Sequence, residues 1–211
     1  MAHAELAAAQ RPTDTRTRIL EIAQEGILAK GFDATSIDEI VAEAGITKGG
    51  FFYHFPDKNA LARALIERHI AFEDALFDGL FARAEELADD PLQQALIMLK
   101  LMAEMLEDMP AGHPGCIVAT AVYQDRLFDA GVRDLNRTAV LGWRERFRAM
   151  IDRIAMRYPP REPVDLDDLA DLVTAVVEGG IVIAKAVGEP VLTARQVLQL
   201  RTYIKLLFSP T

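Results

Sequence analysis

Apolar side chains recur along this chain at three- and four-residue steps, the period of an amphipathic helix. Ile19, Ile22, Ala23 and Ile27 form one such set; Leu61, Leu65, Phe72 and Leu76 form another; Val197, Leu200, Ile204 and Leu207 form a third. No stretch alternates apolar and polar residues with period two, and none has the Thr, Val and aromatic density of a sheet. Breaks at Pro12, Gly31, Gly45, Pro56, Pro91, Pro110, Pro114, Pro159, Pro160, Pro163 and Pro190 leave about nine or ten helical segments. The expected fold class is all-α.

The first helix is predicted from about Thr13 to Lys30, with Thr13, Asp14 or Thr15 as cap and Gly31 as stop. A short helix follows over Ser36–Ala44, where Ser36 and Glu39 have the spacing of a capping box and Gly45 ends it. A shorter one starts at Thr47 and stops before Pro56. Asp57 caps a long helix, and Pro91 opens one that ends near Met109. AGHPG reads as a loop. Helices are predicted over Ile117–Leu127, Val132–Arg157, Leu166–Val187 and Ala194–Phe208. This layout divides the chain into a tail (1–12), a three-helix head (13–59) and a larger helical body (60–211).

Composition narrows the class. Of 211 residues, 51% are hydrophobic and 26% charged, a globular balance. The single cysteine, Cys116, cannot staple the chain and fits a reducing compartment. The N-terminus has no basic region ahead of an apolar core, and no apolar run approaches membrane-spanning length. A cytoplasmic protein without a membrane partner is expected. The net charge of −9 excludes a broadly basic, non-specific nucleic-acid binder. It leaves room for a small DNA-reading face.

Such a face is suggested by two short helices joined at Gly45 and preceded by a third, the layout of a helix-turn-helix. A turn this tight needs a residue tolerant of positive φ. Thr47 can cap the second short helix and face a phosphate, with the free N–H groups of the helix start beside it. Lys48 can reach phosphate or a guanine edge. Gly49 and Gly50 cost a helix roughly 1 kcal/mol each relative to Ala, which suits a backbone that must approach DNA or the first helix closely. Phe52, Tyr53 and His54 add aromatic and polar tips, and Lys58 is aimed at the same surface. At least two of Phe51, Phe52 and Phe55 are expected to pack the head.

These residues resemble the DNA-binding head of the tetracycline-repressor (TetR) family. The likeness covers Arg16–Leu65, through TRTRIL and GFDATSIDEIVAEAGITKGGFFYHFPDKNAL; beyond it only the helical layout and the Gly115-Cys116 pair match. The resemblance implies a homodimer that places two recognition helices in the major groove of operator double-stranded DNA. It implies DNA contacts at Thr17, Thr35, Ser36, Thr47, Lys48, Gly49, Phe52, Tyr53, His54 and Lys58. The chain departs from the family pattern at Gly26-Ile27, Val41 and Phe52.

In the body, Met102, Met105 and Leu106 offer a soft apolar surface, Trp143 and Phe147 a second stripe, and His113, Tyr123 and Glu178 polar groups able to orient a ligand. With Cys116 they are the candidate lining of a site for a small apolar or aromatic effector. Cys116 also reads either as a packing residue or as the thiol of a redox or electrophile sensor, which needs an electropositive, partly exposed setting. Val173, Val177, Gly180, Ile181, Ala184, Val197, Leu200 and Ile204 are the candidate dimer interface, as a four-helix bundle; an internal core is the other reading. No Ser-His-Asp set, metal cluster, phosphate loop or HExxH occurs, and His3, His54, His69 and His113 are dispersed. An enzyme is not expected, nor a cofactor. The expected function is a ligand-responsive transcriptional repressor.

Overall fold

The computed structural model describes residues 14–209; the expected tail 1–12 and the candidate cap Thr13 lie outside them. The described residues form nine α-helices and one 3-10 turn, with no strand: α1 Thr15–Ala34, α2 Ile37–Ala44, α3 Lys48–His54, α4 Lys58–Leu87, α5 Pro91–Glu107, α6 Ile117–Tyr123, the turn Asp125–Leu127, α7 Ala130–Arg157, α8 Leu166–Val187 and α9 Leu192–Phe208. The all-α expectation holds. The predicted helix over Ile117–Leu127 is interrupted at Gln124. The helical run of α1 continues to Ala34, but Gly31 inside it leaves the helical region.

Local chemistry explains the ends. The Ser36 hydroxyl accepts from the Glu39 N–H, and the Glu39 carboxylate accepts from the Ser36 N–H, so the capping box is closed. Lys30 and then Ser36 hold the Glu39 carboxyl down to about 2. Gly45 closes α2 in the left-handed region at φ 63°. Asp57, Asp90, Asp129 and Asp165 cap α4, α5, α7 and α8 through their side chains. Asp14 precedes α1 without a side-chain capping bond.

The head packs α1 against α2 and α4, and α2 against α3. Its centre is Ile19, Ala23, Ile27, Ile40, Phe51, Phe55, Leu61 and Leu65, all buried. Phe51 and Phe55 fill it while Phe52 stays outside. In the expected α4 stripe, Leu61 and Leu65 are buried but Phe72 is exposed; the buried face instead follows Ile66, Ile70 and Phe77. α4 passes the expected boundary at 59/60 without a break, so head and body share a core.

In the body, α5 packs on α4 and α9, α9 on α8, α8 on α7, and α7 returns to α4. Arg146 of α7 reaches Asp74 at 2.9 Å and also Asp78 of α4. Arg144 of α7 makes a two-pronged bond to Asp171 of α8 at 2.7 and 2.5 Å.

The expected dimer residues belong elsewhere. Val173, Gly180, Ile181, Ala184, Val197, Leu200 and Ile204 are buried within the single chain, and half-buried Val177 lines a partly open cavity. The close approach expected of Gly180 is to α9 of the same chain: a Cβ there would lie 3.2 Å from the Thr193 Cα. Both α8 and α9 are apolar on more than one face, and periodicity does not say which face turns inward. The outward apolar set is Leu172, Val182, Ile183 and Val187 on α8 with Tyr203 and Leu206 on α9.

Head and body meet at Phe32. Gly31 has φ 86° and ψ 165°, a region open essentially to glycine alone. This bend presents the Phe32 N–H to the Gln124 Oε1 at 2.7 Å and its carbonyl to the Lys58 ammonium at 3.0 Å. The Phe32 ring packs edge-on against Phe128, centroids 4.9 Å apart. A Cβ on residue 31 would sit 3.0 Å from the Gln124 Oε1. Gly31→Ala is therefore expected to cost about 1–3 kcal/mol. Chemical denaturation checks this; a loss no larger than that of Gly45→Ala, where nothing lies within 4 Å of the new methyl, would contradict it.

Candidate nucleic-acid interface and body cavity

α3 is built to present its start and one face outward. The Thr47 hydroxyl accepts from the Gly50 N–H at 3.1 Å, and Phe51 anchors the helix from the inside. Lys48, Gly49, Phe52 and Tyr53 are exposed, with Tyr53 85% accessible. The Tyr53 ring packs edge-on to half-buried His54. Lys48 pairs with Asp38 at 2.7 Å, both side chains well exposed. Such a pair is worth at most about 1 kcal/mol, so it exchanges readily for a phosphate.

Gly49 and Gly50 are not required by the protein's own packing. A Cβ at either position meets nothing closer than the Thr47 Oγ1, at 3.8 and 3.5 Å. Close approach to α1 is therefore not their reason; approach of a partner from outside is the reading tested below.

The other candidates differ in placement. Ser36 is exposed and engaged in its capping box, and Thr17 is half-buried on α1. Lys58 is exposed but donates to the Phe32 carbonyl. Thr35 does not reach this surface: it is 3% exposed and its hydroxyl donates inward to the Gly31 carbonyl at 2.8 Å. Its methyl packs where a Cβ on residue 26 would be, 3.1 Å away, which accounts for the small Gly26.

The body holds a cavity of about 70 Å³ between α4, α5, α7 and α8, several times what one water needs. Met102, Met105, Leu106, His113, Trp143, Phe147 and Glu178 line it as expected. Glu73, Leu76, Phe77 and Thr174 line it too, as do Val173 and Val177. Glu73 had a legible signal: in α4 it stands in the buried stripe Ile66, Ile70, Phe77, where an apolar residue belongs. Cys116 and Tyr123 line instead an open groove between α6, α7 and α8, which shares Trp143, Thr174 and Glu178 with the cavity.

The cavity's polar groups sit together. His69 Nε2 lies 3.3 Å from a Glu73 oxygen. The other oxygen, Oε2, is buried without a hydrogen-bond partner. His113 Nδ1 accepts from the Gly115 N–H at 3.2 Å, and burial holds its ring toward the neutral form. Burial raises the Glu178 carboxyl above its ordinary range.

Cys116 caps α6 by accepting from the Ala119 N–H at 3.4 Å, and its sulfur lies 3.6 Å from His69 Nε2. Burial first, then the Glu178 carboxylate, pushes the thiol far up. A sensor thiol needs the opposite environment, so the geometry favours the packing reading. Among the described residues no helix is long and apolar enough to cross a membrane.

Comparison with known proteins adds the following. The family described as bacterial regulatory proteins, tetR family, matches residues 19–65. The HTH-type transcriptional repressor KstR2 of Rhodococcus jostii is 27% identical over 112 residues, 53% of this chain and 50% of that protein. The HTH-type transcriptional regulator TtgR of Pseudomonas putida is 32% identical over 98 residues, 46% of this chain and 43% of that protein. The chain thus spans half or less of the length of these curated relatives. A TetR-family regulator from Agrobacterium tumefaciens has the same fold, with TM-score 0.75, 21% identity, and coverage of 94% of this chain and 100% of that one. A TetR regulator from Chloroflexus aurantiacus superposes with TM-score 0.71 at 26% identity, covering 92% of this chain and 96% of the other.

Open space around Gly49 gives a sharp test. Gly49→Ala should stabilise the folded chain by about 0.4–1 kcal/mol while weakening DNA binding roughly ten-fold, or about 1.4 kcal/mol. Denaturation and gel-shift titration read the two effects separately; unchanged DNA affinity would remove the outside-approach reading of this glycine.

Proposed function

From the match of residues 19–65 to the family described as bacterial regulatory proteins, tetR family, we propose that the chain is a TetR-family, cytoplasmic, ligand-responsive transcriptional repressor. It binds operator DNA as a homodimer through two α3 helices and is released by a small effector held in the body cavity. The observation that carries this reading is the pairing of an outward α3 face, from Thr47 to Tyr53, with a cavity lined in part by α4, which runs on from the head and packs against α6.

Those helices supply a physical route between the sites. α4 carries Glu73 on the cavity and Lys58 on the Phe32 carbonyl. Cys116 caps α6 against His69, and Gln124 follows α6 with its side chain on the Phe32 N–H. A ligand that prefers a body arrangement with α4 or α6 displaced shifts the head away from the spacing that fits DNA, about 34–36 Å between half-sites. It must bind that arrangement more tightly, since equal affinity shifts nothing.

The dimer face in this reading is Leu172, Val182, Ile183 and Val187 of α8 with Tyr203 and Leu206 of α9, apolar side chains that the chain itself leaves exposed. The acidic surface at Asp38, Glu39 and Glu43 on α2 limits non-specific binding, so affinity rests on a few contacts in two heads.

DNA selected from a random pool by the full-length protein tests the reading. Lys48→Ala with Tyr53→Ala should abolish binding to it while sedimentation still reports a dimer. Lys48→Ala alone should lower the slope of log affinity against log salt by about 1. Retained binding by the double variant would overturn the DNA reading. Val182→Glu with Leu206→Glu should yield a folded monomer at micromolar concentration, and a persisting dimer would place the interface elsewhere.

A further inference from the structure

The body cavity combines an apolar wall with a feature that a neutral effector does not need. Its walls are apolar and aromatic, with Trp143, Phe147 and Phe77 around Met102 and Met105. Two carboxylates, Glu73 and Glu178, lie in the same lining. Buried carboxylates ordinarily find partners because an unmatched one is costly. Glu73 has only one oxygen near a base, the His69 ring at 3.3 Å; its Oε2 is buried and unpartnered. The other basic groups nearby do not fill this need. Lys185 donates to the Pro114 carbonyl, and the His113 ring already accepts the Gly115 N–H through Nδ1. Among the described residues, no three acidic, histidine or cysteine side chains are grouped to hold a metal ion.

Building on the reading of this cavity as the effector site, the geometry points to an organic cation as the effector: an ammonium or similarly charged centre on an apolar or aromatic body. The charge meets Glu73 and Glu178. The indole and phenyl faces supply the cation–π attraction that aromatic-lined sites offer to quaternary ammonium groups. The uncharged part replaces water against the methionines, whose flexible thioethers adapt to its shape. A neutral ligand of the same shape leaves the buried Glu73 Oε2 unmatched, so the site discriminates by charge as well as by size.

Trp143 is the only tryptophan in the chain and lies in the cavity wall, so its fluorescence reports occupancy. The probes are benzyltrimethylammonium, its uncharged carbon isostere neopentylbenzene, and the anion phenylacetate, titrated into the full-length protein and into the variant Glu73→Gln with Glu178→Gln. The expected result is binding of the cation at least ten-fold tighter than the isostere, with phenylacetate weakest. The double variant should lose the cation's advantage while its affinity for the isostere stays within a few-fold, which also reports an intact cavity. If the isostere binds the wild type as tightly as the cation, or the double variant keeps the preference, the cation inference is overturned although the cavity remains a ligand site. If none of the three probes changes Trp143 fluorescence or calorimetric heat, the effector-cavity reading itself fails, and the inference with it.

Discussion

The backbone of Phe32 is held at both of its polar groups by side chains distant in sequence: Gln124 of the body takes its N–H, and Lys58 at the start of α4 its carbonyl. The arrangement depends on Gly31, whose backbone lies where a side chain is strained. Much else in the molecule follows from it. The bend directs the Phe32 ring onto Phe128, and the Gln124 side chain is committed to α1 where the predicted helix over Ile117–Leu127 is interrupted. The head is thereby tied to the body by directional bonds on α4 and α6 as well as by apolar packing.

One of these helices, α4, also carries a polar group of the cavity, Glu73. His69 and Glu73 are one turn apart on α4, and Cys116 at the start of α6 packs against His69. Polarity buried at this cost is unusual in a core otherwise made of Leu, Met, Phe and Val. The Cys116 thiol, raised by burial and by the Glu178 carboxylate, serves here as a small cap and packing group. Redox chemistry would need a thiolate that this environment opposes.

The short surface of α3 is economical in a different way. Phe51 and Phe55 fix it from within, Thr47 closes its first turn, and the remaining side chains are left to the outside. Lys48 rests against Asp38 in a weak, solvent-screened pair. The glycines at 49 and 50 leave the helix less stable than the surrounding space demands, a trade that makes sense where function needs backbone approach.

The helices were legible in the sequence because their determinants are local. Three-to-four-residue periodicity, the Ser36–Glu39 box, Gly45, Asp57 and Pro91 act within one or two turns, and α8 has its predicted bounds. The head was legible for the same reason, since its face is a single short helix with a fixed order of residues. Most of the cavity lining was also readable, because Met, Trp and Phe at helical spacing must face something apolar. What needed the tertiary structure was the choice among faces. Val173, Gly180, Val197 and Ile204 turn inward, while Val182 and Leu206 turn outward, although all fit an apolar stripe. Thr35 turns into the fold although it stands beside an exposed cap. Gln124 and Glu73 acquire their roles from partners 92 residues away in one case and from a cavity formed by four helices in the other. Local pattern specifies an element and its period. Which side of it is covered depends on neighbours distant in sequence, and only the packed chain supplies those.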